Sequence, residues 1–195
     1  MVVERALLAT LLRLRWRVVA RILIIGGGCR GRRLAREMVR AGHVVRITTR
    51  SEDQRAVIEA SGAECFIATP ARVGTLRAAL EGVTLACWLL AGASGSDEDQ
   101  RALHGSRLDL FMRQLIDSTV RGFIYEASLP AAQSGGSAVP AGVLGEGALT
   151  ARALGARNAI PVAVIEGTAA DAEGWIGQMR AAARSLLSDV RGQAR

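Results

Sequence analysis

Arg21-Ile22-Leu23-Ile24-Ile25-Gly26-Gly27-Gly28-Cys29-Arg30-Gly31 is the stretch whose reading decides the fold. A β-branched, apolar run passes straight into G-x-G-x-x-G, made by Gly26, Gly28 and Gly31. Helical spacing follows, with Leu34, Ala35, Met38 and Val39 on one face and Arg32, Arg33, Arg36, Glu37 and Arg40 around the rest. Strand, glycine turn and helix in this order predict the opening βαβ unit of a dinucleotide-binding fold. Gly26 would allow the sharp exit from the strand, Gly28 the approach of backbone to a pyrophosphate, and Gly31 close packing of helix on sheet. The phosphates would sit at the positive end of the helix, against Cys29 and its neighbours, with Arg30 or Arg32 as an added cation.

Outward from this motif, strand and helix patterns alternate. The first helix ends at Ala41-Gly42, where glycine suits a C-terminal cap. Val44 to Thr49 reads as the second strand, and Ser51-Glu52-Asp53-Gln54 as a helix start with acidic residues in its first turn. Ala63 to Ala68 is the third strand, followed by a turn at Thr69-Pro70 and a helix through Val73, Leu76 and Leu80. Leu85 to Leu90 is apolar throughout, as expected of a parallel strand covered on both faces. It runs into the small-residue loop Ala91-Gly92-Ala93-Ser94-Gly95. A single helix is expected from about Asp97 to Ser118, a fifth strand at Gly122 to Glu126, and a loop rich in Gly, Ser, Ala and Pro from Ser128 to Gly147. A helix near Glu146 to Arg157, a sixth strand at Pro161 to Ile165 and a last helix near 172 to 187 complete the pattern. It predicts an α/β fold, a doubly wound parallel Rossmann sheet of about six strands in order 3-2-1-4-5-6 with helices on both faces.

The chain of 195 residues is long enough for one domain with a sizeable core. That domain is expected over residues 20 to 190, between a basic N-terminal extension (1 to 19) and a short tail (191 to 195). The extension is too often interrupted by Arg5, Arg13, Arg15 and Arg17 to read as a membrane span, and its charges follow the apolar stretch, unlike a secretory signal. Membrane association of residues 1 to 20 is not expected. The formal net charge is +7, carried entirely by arginine, since the sequence has no lysine. Such a balance attracts phosphates, but no nucleic-acid motif accompanies it and no nucleic-acid partner is expected. Three widely spaced cysteines, Cys29, Cys65 and Cys87, form neither a disulfide framework nor a zinc pattern, so no metal and a cytoplasmic location are expected.

Where an NAD-binding relative of this fold would place an acid about 20 residues past the glycines, the second strand ends Thr48-Thr49-Arg50-Ser51. Arg50 puts a cation there, suited to a 2′-phosphate. NADP(H) is therefore the preferred cofactor, with Thr49 and Arg50 at its ribose and Ala91 and Gly92 at the end of the fourth strand. NAD(H), held through Glu52 or Asp53, is the alternative.

With Gly26-x-Gly28-x-x-Gly31-Arg32, Ala41-Gly42-His43-x-Val45, Gly62-Ala63-Glu64, Leu80-Glu81-Gly82-Val83 and Leu89-Leu90-Ala91-Gly92, the chain resembles atypical short-chain dehydrogenases/reductases of the NAD-dependent epimerase/dehydratase kind over residues 20 to 166. The resemblance implies a serine near the end of the fifth strand, a place that Ser128 can fill as a catalytic candidate. It also implies a Tyr-x-x-x-Lys pair, which would fall near Leu144 and Ala148, neither able to transfer a proton. The only tyrosine, Tyr125, lies inside the fifth strand. No counterpart of the substrate lobe of the epimerase-like relatives is expected in this length, so pocket residues are expected from loops 92–97 and 128–147 or from a partner subunit in a homodimer.

Three readings follow. The first is an NADP(H)-binding or sensor protein without the usual catalytic pair. The second is an NADPH-dependent oxidoreductase with a non-standard proton donor, such as Ser128 or Glu126. The third is a structural or interaction protein with a vestigial nucleotide site.

Overall fold

The computed structural model describes residues 19–128, 139–166 and 172–193. The expected basic extension, apart from its last residue, and the middle of the expected Gly/Ser loop lie outside them.

At the centre runs β1 (Arg21–Ile25), in which Ile22, Leu23, Ile24 and Ile25 are fully buried. Such a strand must be covered on both faces, and the alternation of its side chains shows that it is. Ile22 and Ile24 enter one core, Leu23 and Ile25 the other. β2 (Val44–Thr49) and β4 (Leu85–Trp88) flank β1; β3 (Glu64–Ile67) lies outside β2, and β5 (Gly122–Glu126) and β6 (Val162–Ile165) outside β4. All five pairings are parallel and the order is 3-2-1-4-5-6, the doubly wound Rossmann sheet expected from the sequence.

On one face, α1 (Cys29–Arg40) and the later half of the chain meet. Leu34, Ala35 and Met38 of α1 share a core with Trp175, Ile176 and Met179 of the last helix, α7 (Ala172–Gln193), and with Ile58 of the short α2 (Arg55–Glu59). Ion pairs Arg33–Glu173 and Arg180–Glu37 clasp α1 to α7 at the surface. The other face is covered by α3 (Leu76–Ala79), α5 (Ser106–Ile116) and α6 (Ala141–Arg157), through Leu76, Ala79, Leu108, Phe111, Ala148 and Ala151. α4 (Asp97–His104) leads into α5.

Three expectations are corrected. The single helix over 97 to 118 is two helices, because the chain leaves helical geometry at Gly105 (φ −108°, ψ −102°). A Cβ there would press on the Arg101 carbonyl oxygen at 2.7 Å, so glycine permits the break. After β3, a 3-10 segment (Pro70–Thr75) kinked at Arg72 precedes a single turn of α-helix. α6 starts at Ala141, directly after Pro140, so residues 141 to 147 are helix rather than loop. Its glycines and alanines gave the segment the composition of a loop.

β2 also holds a charge that strand patterning does not anticipate. Arg46 is buried, yet paired: its Nε donates to Glu64 at 3.0 Å, its Nη1 to the Ala79 carbonyl at 2.7 Å, and its guanidinium lies 5.2 Å from the Phe66 ring centre. A buried guanidinium is tolerable only with such partners.

Candidate nucleotide-binding cleft

Parallel sheets of this order open a crevice at the carboxyl ends of the strands, where the chain turns outward on either side of β1 and β4. Here that crevice is a cleft of about 730 Å³. Its floor is the glycine loop between β1 and α1. Gly26 has φ +127°, a conformation that side chains disfavour, and a Cβ on it would strike the Leu89 carbonyl oxygen. A Cβ on Gly31 would overlap the Gly26 carbonyl oxygen, so this glycine lets α1 come down onto the loop. Gly28 differs from both: its φ is −65°, and a Cβ would meet nothing within 4 Å. The space above Gly28 is the cleft itself.

Gly28 is the N-cap of α1, with no side chain capping the helix and no acid in its first turn. The N–H groups of a helix's first turn have no carbonyl partner within the helix, and a helix start of this kind suits an anion. Arg32 braces the loop, donating from Nη1 to the Gly27 carbonyl at 2.6 Å.

One side wall comes from the end of β2. Thr49 and Arg50 line it; Arg50 is exposed and has no hydrogen bond or ion pair among the described residues. The two acids that could have held a ribose are occupied nearby. Glu52 is gripped by Arg55, which holds its carboxyl below the ordinary range, and Asp53 accepts from the Ser51 hydroxyl at 3.1 Å. Neither lines the cleft. The loop after β3 adds Ala68 to Ala71. The opposite wall is the loop after β4, Gly92 to Gly95, continued by Asp99, Gln100, Leu103 and Arg107 of α4 and α5. Arg107 there donates to Asp99 at 3.2 Å. None of these α4 and α5 residues carries a motif that sequence could single out, and the two helices meet at the break at Gly105.

The structure thus brings together Gly26, Gly28, Cys29, Arg30, Gly31, Arg32, Thr49, Arg50 and Gly92. Ala91 and Ser128 stand apart from the lining. Ala91 is buried against Val139 and Leu144. Ser128 is also buried, and its hydroxyl has no partner among the described residues. Arg30 lines the cleft but is committed sideways. Its Nη1 donates to Glu126 Oε1 at 2.6 Å and to the Ser128 carbonyl at 3.0 Å, and the guanidinium lies 5.0 Å from the Trp175 ring centre. Glu126, at the last position of β5, also lines the cleft with its side chain 1% exposed. Burial raises its carboxyl pKa against the opposing pull of Arg30.

At the positions where the family resemblance places Tyr and Lys, Leu144 and Ala148 are buried in apolar surroundings. Tyr125 lies in the same core as Ala148. Its hydroxyl lies 2.7 Å from His104 Nδ1, inside a pocket left by Gly147, whose Cβ would overlap that hydroxyl. Burial lowers the His104 pKa to about 4 and raises that of Tyr125. The pair is neutral and internal, and no sequence signal linked its two residues.

No protein-family model matches the chain, and no curated protein sequence does. Solved structures do match in fold. UDP-glucose 4-epimerase from Thermotoga maritima, solved with UDP-glucose, has 11% identity and a TM-score of 0.60, over 74% of this chain and 54% of that one. UDP-glucose 4-epimerase from Thermus thermophilus, solved with NAD, has 14% identity and a TM-score of 0.58, over 74% and 53%. A nucleoside-diphosphate-sugar epimerase from Pseudomonas aeruginosa has 23% identity and a TM-score of 0.54, over 74% and 51%. The matched region spans about half the length of these enzymes. At such identities the likeness establishes the Rossmann fold and leaves function to the site.

Proposed function

We propose that the chain is an NADP(H)-binding Rossmann protein of atypical short-chain dehydrogenase/reductase type, one that binds or senses its cofactor without the usual catalytic pair. The observation that carries this reading is the open space above Gly28 at the uncapped start of α1. That space supports the reading because backbone at Gly28 could approach a pyrophosphate and a helix start favours an anion. The neighbours solved with NAD share this fold.

The preference for the 2′-phosphorylated cofactor rests on Arg50, exposed at the cleft edge without a partner among the described residues, while Glu52 and Asp53 are engaged elsewhere. Gly26, Gly28, Cys29, Gly31 and Arg32 would hold the phosphates; Thr49 and Arg50 would hold the adenosine ribose, and Gly92 the far side. Ala91 would act from behind the cleft wall. A bound nicotinamide can supply or accept a hydride, but the described residues lining the cleft include no tyrosine, lysine or histidine to accompany it. Glu126 favours the oxidoreductase alternative to one degree only, as a buried carboxyl reaching the cleft, and it is held by Arg30.

The test is to purify the protein, identify any bound nucleotide by absorbance and mass spectrometry, and titrate it with NADPH and NADH. Tighter binding of NADPH is expected. Equal or tighter binding of NADH would overturn the NADP assignment, and binding of neither would leave the third reading, a vestigial site.

A further inference from the structure

Residue 30 sits inside the glycine motif, between Gly28 and Gly31, at the point where a nucleotide-binding loop meets its helix. Its guanidinium is nevertheless turned toward the end of β5, 96 residues later in the chain. There Glu126, 1% exposed, takes a hydrogen bond from Arg30 and another from the backbone N–H of Ala91. One carboxylate thus joins the phosphate loop, the loop after β4 and the end of β5. The Ser128 carbonyl and the face of Trp175 complete the seat of the guanidinium. Removing one partner of a buried, charge-assisted pair is costly because the other charge is left uncompensated.

We propose that Glu126 is a positioning residue for the nucleotide cleft, holding Arg30 against β5 and so fixing the first turn of α1 where the phosphates bind. This rests on the nucleotide-binding reading above. Residues arranged before the ligand arrives cost less to order on binding, so losing the tie weakens affinity by loosening the first turn of α1.

The proposal has a consequence in pH. Arg30 is the charged side chain that faces the carboxyl from α1. β5 presents Tyr125 on its opposite face, and on neighbouring elements Glu166 pairs with Arg152 and Glu173 with Arg33. Burial raises the Glu126 pKa above the ordinary carboxylate value, so the ion pair is complete above that raised value and lost as pH falls through it. Nucleotide affinity should fall over the same interval.

The experiment measures binding of ADP-ribose, whose pyrophosphate does not titrate across the mildly acidic range, by calorimetry as a function of pH. Wild-type, Glu126→Gln and Arg30→Gln proteins are compared, with circular dichroism confirming that each is folded. About tenfold weaker binding is expected for either variant at neutral pH, equivalent to one interaction of about 1.4 kcal/mol. The double variant should be no weaker than the singles, because the two residues act as a unit. Wild type should lose affinity on acidification, and Glu126→Gln should show a flat profile. Unchanged affinity in Glu126→Gln, or a wild-type profile without pH dependence, would overturn the proposal even if that variant folded poorly. Tighter binding by Glu126→Gln would also overturn it, since Arg30 would then have been withheld from the phosphates. Absence of binding of both ADP-ribose and NADPH by the wild type would instead sink the nucleotide-binding reading itself.

Discussion

The two halves of the sheet meet the cleft in different ways. In the first half, β1, α1 and β2 present backbone and cations: an open glycine at position 28, an uncapped helix start, and Arg50 at the rim. In the second half, β5 and α6 present a closed interior. Leu144 and Ala148 are packed away, Tyr125 is turned to His104, and the carboxylate that does reach the cleft is tied to Arg30. On the proposed reading, a binding surface thus stands beside a wall whose described residues offer little for proton transfer. The difference, on that reading, separates the requirements for holding a dinucleotide from those for reacting it.

The largest expected effect is in the first half, and it separates two glycines of one motif. Gly31→Ala must push a methyl group into the Gly26 carbonyl, backbone against backbone, with no side chain to swing aside. It should destabilise the fold by about 3 kcal/mol and abolish nucleotide binding. Gly28→Ala meets no atom of the protein and keeps an ordinary φ. Its melting temperature should match wild type, while its methyl group fills the space intended for the pyrophosphate and lowers affinity by more than tenfold. Thermal melts paired with titrations check both. Normal binding by Gly28→Ala would place the ligand elsewhere and erase the contrast between the halves.

Next in size is Arg50→Ala. On the NADP reading, loss of one charge-assisted phosphate contact should weaken NADPH by about tenfold and leave NADH nearly unchanged. The ratio of the two dissociation constants is the measurement. An unchanged ratio would show that Arg50 is a solvated strand-end charge.

A smaller effect belongs to the second half. The folded-state pKa of His104 is lowered to about 4, below its unfolded value near 6.5. Between these values the unfolded chain binds the extra proton, so the contribution of His104 to stability is complete above about 6.5 and is lost as pH falls toward 4. Glu126, with its raised pKa, acts in the opposite sense as the medium acidifies. Comparison with His104→Gln therefore isolates the histidine. Wild type should lose more melting temperature than the variant over this interval, and parallel curves would show that the buried imidazole is not what responds.

The same division explains what was legible in the sequence. The first half announces itself locally, since Gly26, Gly28 and Gly31 follow an apolar strand and precede a helical period within a few residues. The strand order follows from alternation of patterns along the whole chain. Long-range side-chain choices carry no such signal. Arg30 reads as a phosphate ligand until β5 brings Glu126 beside it. The His104–Tyr125 pair depends on room left by Gly147 on another helix. The break at Gly105 is hidden because apolar spacing continues from Leu103 to Leu108 across it, and a helix start at Ala141 is hidden by glycine and alanine. The glycines of the loop need only the chain path to reach the cleft lining, whereas the orientation of the Arg30 side chain depends on a partner 96 residues away.

The smallest effect is expected at Ser128, and it bears on chemistry. General acid catalysis needs a donor within hydrogen-bond reach of the developing oxyanion, with a pKa tuned toward the working pH. The Ser128 hydroxyl is buried outside the cleft lining, and a serine hydroxyl is a poor acid without a base or cation to assist it. Tyr125, its pKa raised by burial, lies in the same core as Ala148, and Leu144 and Ala148 have no proton to give. Ser128→Ala should therefore leave NADPH affinity as it is, and NADPH oxidation should stay near background for both proteins across a screen of ketones, aldehydes, quinones and sugar nucleotides. Robust turnover abolished by Ser128→Ala would raise the oxidoreductase reading above the sensor. Robust turnover that survives both Ser128→Ala and Glu126→Gln would mean that the proton comes from the substrate, from water or from a group beyond the cleft lining. In that case the chemistry would not depend on the side chains that β5 brings to the cleft.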